Sequence, residues 1–236
     1  MAYSFNGTSD YTHIPTRING LGVAVNVPLT FSVWFKTPTQ TRATARVLLE
    51  IGDLANACCG ASNGAFRLVI PANVSFIRAN AFVGTTAYTA DTAAGSLVAN
   101  TWMHAAAVFA SNSSRTIYLS NATPVTNTQT LNVPHGYYLS VASTWASASP
   151  AANFFSGDIA EVGVWRAALT AAEINSLSKG VSCRKIRPDS IFCYFPLVRA
   201  LQGEFARLQP GDFDPYYSTL VLAGNPAPSP HPRVYL

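Results

Sequence analysis

In Phe31-Ser32-Val33-Trp34-Phe35-Lys36, the apolar residues Phe31, Val33 and Phe35 recur at every second position. Successive side chains of a β-strand point to opposite faces, so this spacing reads as a strand with one buried face. The pattern continues on both sides. Phe66-Arg67-Leu68-Val69-Ile70 reads as a half-buried strand. Thr101 to Phe109 reads as another, with Arg115-Thr116-Ile117-Tyr118-Leu119 as its hairpin partner across the turn Ser111-Asn112-Ser113-Ser114. Regular strand spacing from residue 3 to about residue 166 predicts a sandwich rather than alternating βαβ units. Ser190 to Leu197 is a further strand candidate.

One helix is predicted, over residues 169–180. Thr170 can cap its N-terminus, with Glu173 reaching back as the capping-box partner. Lys179 suits the negative end, and Gly180 suits the left-handed position that ends a helix. Leu169, Ile174 and Leu177 form a narrow apolar face. Beyond residue 199 the chain changes character. Pro210-Gly211-Asp212-Phe213-Asp214-Pro215-Tyr216-Tyr217 is followed by Pro226, Pro228, Pro230 and Pro232. Proline excludes central strands and favours extended chain. The expected division is a sandwich over residues 1–198 and a Pro- and aromatic-rich strap or arm over residues 199–236. Phe213, Tyr216, Tyr217 and Tyr235 are its candidate assembly residues.

The composition fits this reading. A single β domain of 236 residues can bury a sizeable core unaided. Charged residues make up 11% of the chain, against the usual quarter or so, so much of the polar surface is uncharged. Such a surface repels neighbours weakly and suits a packed assembly. The net charge of +4 is scattered apart from Arg184-Lys185-Ile186-Arg187, which reads as a solvated loop. Without an aromatic-interleaved basic stripe, nucleic acid is not an expected partner. No apolar run reaches the roughly 18 residues of a membrane span. Met1-Ala2-Tyr3-Ser4-Phe5 has neither the basic start nor the apolar stretch of a signal peptide, so synthesis in the cytoplasm is expected.

Cys58, Cys59, Cys183 and Cys193 lack paired zinc spacing. Reduced buried thiols are the default, and a Cys183–Cys193 bridge is the alternative.

Three separated blocks carry a family resemblance. They are Tyr3 to Tyr11, Phe31 to Phe35, and Phe155-Ser156-Gly157-Asp158-Ile159-Ala160-Glu161-Val162-Gly163-Val164-Trp165-Arg166-Ala167-Ala168-Leu169-Thr170-Ala171-Ala172-Glu173-Ile174. Thr101-Trp102-Met103-His104 adds a fourth. Together they resemble the concanavalin-A-like, laminin-G-type jelly roll. The resemblance implies an all-β, two-sheet antiparallel jelly-roll sandwich with one short helix and a Pro-rich C-terminal extension. The closing block, with Arg187-Pro188-Asp189-Ser190 and Tyr194-Phe195-Pro196-Leu197, resembles a variant carried by tailed-phage proteins. From that follows the leading expectation. It is a non-enzymatic structural protein of a phage virion, a capsid decoration or head-fibre subunit that oligomerises or binds capsid or tail proteins. The alternative is a lectin-like module for host-surface glycans, with Trp145, Tyr137, Tyr138 and Asn153 as candidate binding residues.

Catalysis finds little support in the residues. Glycoside hydrolysis needs two carboxylates about 5–9.5 Å apart. Glu50 and Asp53 are three apart, as are Asp158 and Glu161, and in a regular strand such residues face opposite sides. No catalytic residue is assigned. His104 beside Trp102 reads as a core or rim residue, and Trp34, Trp102 and Trp165 are assigned to the core. No cofactor is expected. Calcium is the one candidate metal, with Asp10, Asp158 and Glu161 as candidate ligands. The resemblance weakens that site, because the family's usual aspartate is replaced by Ala160.

Overall fold

The computed structural model describes residues 2–14, 26–53, 64–84, 86–120, 122–131, 138–146, 149–197, 221–223 and 227–229. Cys58, Cys59, Tyr137, Phe213, Tyr216, Tyr217 and Tyr235 lie outside the described residues.

In chain order the strands begin β1 (Ala2–Asn6), β2 (Tyr11–His13), β3 (Leu29–Lys36), β4 (Arg46–Asp53), β5 (Gly64–Ile70) and β6 (Arg78–Val83). Then come β7 (Thr86–Asp91), β8 (Met103–Ser111), β9 (Ser114–Leu119), β10 (Val125–Asn127), β11 (Tyr138–Val141), β12 (Thr144–Ala146), β13 (Ser149–Ala152) and β14 (Ser156–Trp165). Helix α1 (Ala171–Ser178) precedes β15 (Ile191–Phe195), β16 (Val221–Ala223) and β17 (Ala227–Ser229).

Two large antiparallel sheets result, with β12 and β13 as a separate two-stranded pair. The eight-stranded sheet runs β10-β9-β8-β3-β14-β1-β17, with β15 on the far half of β14. The seven-stranded sheet runs β16-β2-β11-β4-β5-β6-β7. The all-β sandwich with one short helix is therefore as expected. The tail strands β16 and β17, the latter containing Pro228, each pair at a sheet edge, on β2 and β1. An edge is where a strand tolerates proline's missing N–H.

The core lies between the sheets. Phe31, Val33 and Phe35 face it from β3, and Leu49, Ile51, Phe66 and Leu68 face it from β4 and β5. The Phe66 and Phe109 rings meet edge-on across the sandwich at 5.0 Å. Each fully buried side chain of this size contributes roughly 1.5–3 kcal/mol. A second cluster sits outside the eight-stranded sheet. There α1 lays Ile174 and Leu177 over Trp165, Ala106, Val108 and Tyr194. The helix has both arms of its capping box, Thr170 to Glu173 and back, and Gly180 takes a φ of +88° just past its end.

The tryptophan assignments need correction. Trp34 and Trp102 are only half-buried. Trp34 alternates with the core residues of β3, so it emerges on the outer face, where its ring lies 5.5 Å from that of His104. Trp165 is fully buried, but beneath the helix rather than between the sheets. Cys183 and Cys193 are buried thiols in different layers, Cys183 in the outer cluster and Cys193 in the core.

Strand β14 holds the tightest passage. Gly157 has a φ of +132°, and a Cβ there would sit 2.1 Å from the Lys36 carbonyl oxygen. A left-handed backbone and a backbone clash act together. Gly157→Ala should lose roughly 3 kcal/mol or more of stability, read as a lowered urea midpoint. An unchanged midpoint would contradict this passage of β14 over β3.

A pH effect comes from His104. Burial lowers its pKa to about 3, and its Nε2 lies 2.8 Å from the Ser32 hydroxyl. The unfolded chain takes up this proton near pH 6.5, whereas the folded chain resists it until about pH 3. Unfolded chains therefore bind more protons between these values, and stability falls as pH drops from about 6.5 towards 3. Melting temperature measured across that range should fall less steeply for His104→Gln than for the parent.

Candidate functional site

The inner face of the seven-stranded sheet is spent on the core, so its outer face carries the remaining chemistry. Register identifies which residues share that face. One row across the sheet runs His13–Ser140–Glu50–Arg67–Asn80–Thr89, on β2, β11, β4, β5, β6 and β7. The next row runs Tyr138–Gly52–Ala65–Phe82–Ala87. Small residues Gly52 and Ala65 thus lie between two aromatic residues, Tyr138 and Phe82. A third row pairs Val69, Arg78 and Asp91.

The centre of the first row is a buried ion pair. Glu50 is fully buried, and the Arg67 guanidinium donates from Nε to its Oε2. Burial drives the Glu50 pKa up, against the opposing pull of Arg67. Its second oxygen, Oε1, has no hydrogen-bond partner and lies over Gly52, 3.1 Å from where a Cβ would stand. Asn80, on the other side of Arg67, also has a buried side-chain oxygen, Oδ1, with no donor. A buried acceptor left without a donor costs about 1–3 kcal/mol. Arg67 also stacks over the Phe82 ring at 4.5 Å. Arg78 grips both oxygens of Asp91, at 2.7 and 2.6 Å. At the β2 end His13 stacks on Tyr11 with ring centres 5.3 Å apart, and burial lowers its pKa. The row passes from half-buried Asn80 and Arg67 to fully buried Glu50.

The candidate glycan residues are only partly on this face. Tyr138 is, beside Gly52. Asn153 sits beyond the β12–β13 hairpin with a φ of +53°, where its carbonyl accepts the Val47 N–H at 3.0 Å. The backbone of Trp145 lies in β12, which pairs with β13 and is not a strand of the seven-stranded sheet. Sequence reasoning missed Glu50, Arg67, Asn80 and Phe82 as a group. One signal was available, since Glu50 and Arg67 each interrupt an apolar run (Val47-Leu48-Leu49-Glu50-Ile51 and Phe66-Arg67-Leu68).

The candidate calcium ligands each have another occupation. Asp10 accepts the Asn6 N–H at 3.1 Å within a tight turn. Asp158 is 2.6 Å from the Lys36 ammonium. Glu161 accepts the Tyr194 hydroxyl proton at 2.7 Å in the buried layer under α1. Among the described residues, no three His, Cys, Asp or Glu side chains gather in a way that could hold a metal ion.

The phase argument for Asp158 and Glu161 is corrected here. A bulge between Ala160 and Gly163 puts two residues of β14 opposite one of β3, and Glu161 takes a φ of +50°. Ile159 and Val162 both face the core, so strict alternation slips at this point.

Ser32 and His104 look like a nucleophile and its base. Both are buried, and a histidine held near pKa 3 is a feeble base at neutral pH. Trp34 covers the imidazole. The basic run after α1 is similarly occupied. Arg187 pairs with Glu173 at 2.5 Å, and Arg184 lies 5.2 Å over the Tyr194 ring.

Several solved structures share this architecture. Domains LG4-5 of the mouse laminin α1 chain superpose with a TM-score of 0.50 at 17% identity, covering 69% of this chain and 40% of that one. The CBM40 of the Ruminococcus gnavus IT-sialidase, bound to α2,3-sialyllactose, gives a TM-score of 0.52 at 15% identity over 75% of this chain and 95% of that one. Domain 4 of a GH43 extracellular arabinanase from Geobacillus stearothermophilus, in complex with arabinotriose, gives 0.52 at 18% identity over 75% and 76%. No curated protein sequence matches the chain. Residues 6–175 match the family described as the Concanavalin A-like lectin/glucanases superfamily, with blocks from the first turn through α1 included. With two antiparallel sheets, the closing β14–α1 segment and a match over most of its length, this chain belongs to the Concanavalin A-like lectin/glucanases superfamily.

Proposed function

We propose that this chain is a carbohydrate-binding domain whose ligand lies on the outer face of the seven-stranded sheet. The observation that carries the reading is the half-buried group Arg67, Asn80 and Phe82 on that face, where the guanidinium stacks over the Phe82 ring at 4.5 Å. Sugars present hydroxyl groups that donate and accept in turn, and their C–H faces pack on aromatic rings. Phe82, half-buried on β6, supplies such a ring. Two relatives of the same fold were solved with a sugar bound, one with sialyllactose and one with arabinotriose. The expected capsid or tail partner has no counterpart in these relatives, whereas sugar binding does.

The same face is poorly suited to hydrolysis. Glu50 is tied to Arg67 and Asp91 to Arg78. Neither is joined to a second carboxylate of the kind that glycoside hydrolysis uses.

The site makes a direct prediction. Asn80 is half-buried, so Asn80→Ala should keep the fold and lose a ligand hydrogen bond. Oligosaccharide affinity measured by titration calorimetry should fall roughly tenfold, with Phe82→Ala falling by a similar factor. Unchanged affinity in both variants would place the binding surface elsewhere on the protein.

A further inference from the structure

We infer that a small cavity between the two sheets, at the turn from β8 to β9, is a binding site for one halide ion held by Arg115. Phe66, Ala81, Phe109 and Leu131 give the cavity apolar walls, and Arg115 of β9 lines it as well. Ser111 and Asn112, both exposed, line it at the turn, so a guest can enter from solvent. The enclosed space is about 10 Å³, which suits one guest the size of a water molecule. Arg115 itself is only 2% exposed, so its charge is held inside the fold.

The hydrogen bonds of Arg115 decide which guest is favoured. Its Nη1 donates to Asn127 Oδ1 at 2.8 Å. Its Nη2 donates to the Asn112 and Gln129 carbonyl oxygens at 2.9 and 2.7 Å. All three acceptors are neutral. A guanidinium carries five N–H donors, so Nε–H and one Nη1–H remain without an acceptor among the described residues. Among those residues no carboxylate pairs with Arg115 either. A buried cation without a counter-charge is costly, and burial draws the Arg115 pKa down. Water is the ordinary filling of such a space, but it donates as well as accepts and needs several polar partners. The apolar walls accept nothing. The Asn112 carbonyl is already taken by Arg115 and by the Leu131 N–H, and the Ser111 hydroxyl oxygen by the Ser113 N–H. A halide only accepts, and it brings the negative charge that Arg115 lacks. Carboxylates, nitrate and phosphate bring charge too, but they are larger than the space.

The experiment uses chloride as the probe and reads the linewidth of its chlorine nuclear magnetic resonance signal with the full chain present. Bound chloride broadens the signal, and bromide should reverse the broadening by competing for the cavity. Arg115→Gln removes the charge. Ala81→Val narrows the cavity and leaves every Arg115 hydrogen bond in place. Both variants should lose the bromide-reversible broadening, whereas Lys185→Gln, at an exposed lysine outside the cavity, should keep it. Far-ultraviolet circular dichroism checks the fold of each variant, and if Arg115→Gln does not fold, Ala81→Val decides. A parent chain that causes no broadening holds water alone in the cavity, which overturns the inference. Broadening that survives in Ala81→Val, or that is lost equally in Lys185→Gln, overturns it as well.

Discussion

Strand β14 must satisfy three neighbours, and the rest of the sandwich is arranged around that requirement. Its first half is hydrogen-bonded to β1 and β3, and its second half to β3 and β15. Crowding at the start leaves no room for a side chain at Gly157, which lies against the Lys36 carbonyl. The bulge at Glu161 then resets the phase, so that Val162 and Val164 return to the core while Trp165 emerges on the outer side. A Cβ on Gly163 would stand 2.5 Å from the Trp165 ring, so that ring lies flat on the strand behind it. The Trp165 N–H then donates to the Ile186 carbonyl at 2.8 Å, fixing the segment after α1. Placement of the helix thus follows from how β14 ends.

What could be read from the sequence was what has a local cause. Phe31, Val33 and Phe35 announce their face because strand alternation needs no knowledge of the partner strand. Thr170, Glu173 and Gly180 announce the helix because capping is settled within a few residues. Trp34 was misassigned for the opposite reason. Its size argued for the core, but the pleat had already given that face to its neighbours. The bulge at Glu161 is set by three-strand crowding, which no window of sequence displays. The site was harder still, since Glu50 meets Arg67 seventeen positions on and Asn80 thirteen beyond that. Each looked like an isolated polar residue until register aligned them.

Two polar constellations compete for attention, and magnitudes separate them. Ser32 and His104 are buried and neutral and satisfy each other, so they cost little and leave nothing to offer. Glu50 and Arg67 are charged. Breaking a buried ion pair costs about 3–5 kcal/mol, yet replacing both members by apolar residues is often neutral or stabilising. Stability alone therefore gives no reason to bury a carboxylate at the centre of this sheet. A spare oxygen on that carboxylate, lying over Gly52, adds a further cost.

The geometry of the sheet edges bears on the carbohydrate-binding proposal. A sheet recognises extended peptides by adding them to an open edge strand. At the β1 and β2 side both edges are occupied, because β17 and β16 of the same chain pair there. The outer face of the eight-stranded sheet is partly closed as well, since α1 covers Trp165, Ala106 and Val108. The outer face of the seven-stranded sheet is buried along β11 and β4 and opens over β6 and β7. Its two central rows end in side chains rather than in backbone groups, and they mix a guanidinium, an amide, a carboxylate and two aromatic rings. On the proposed reading, recognition there works through side-chain hydrogen bonds and stacking. Those are the interactions that a sugar ring, with hydroxyls around its rim and an apolar face, is built to meet.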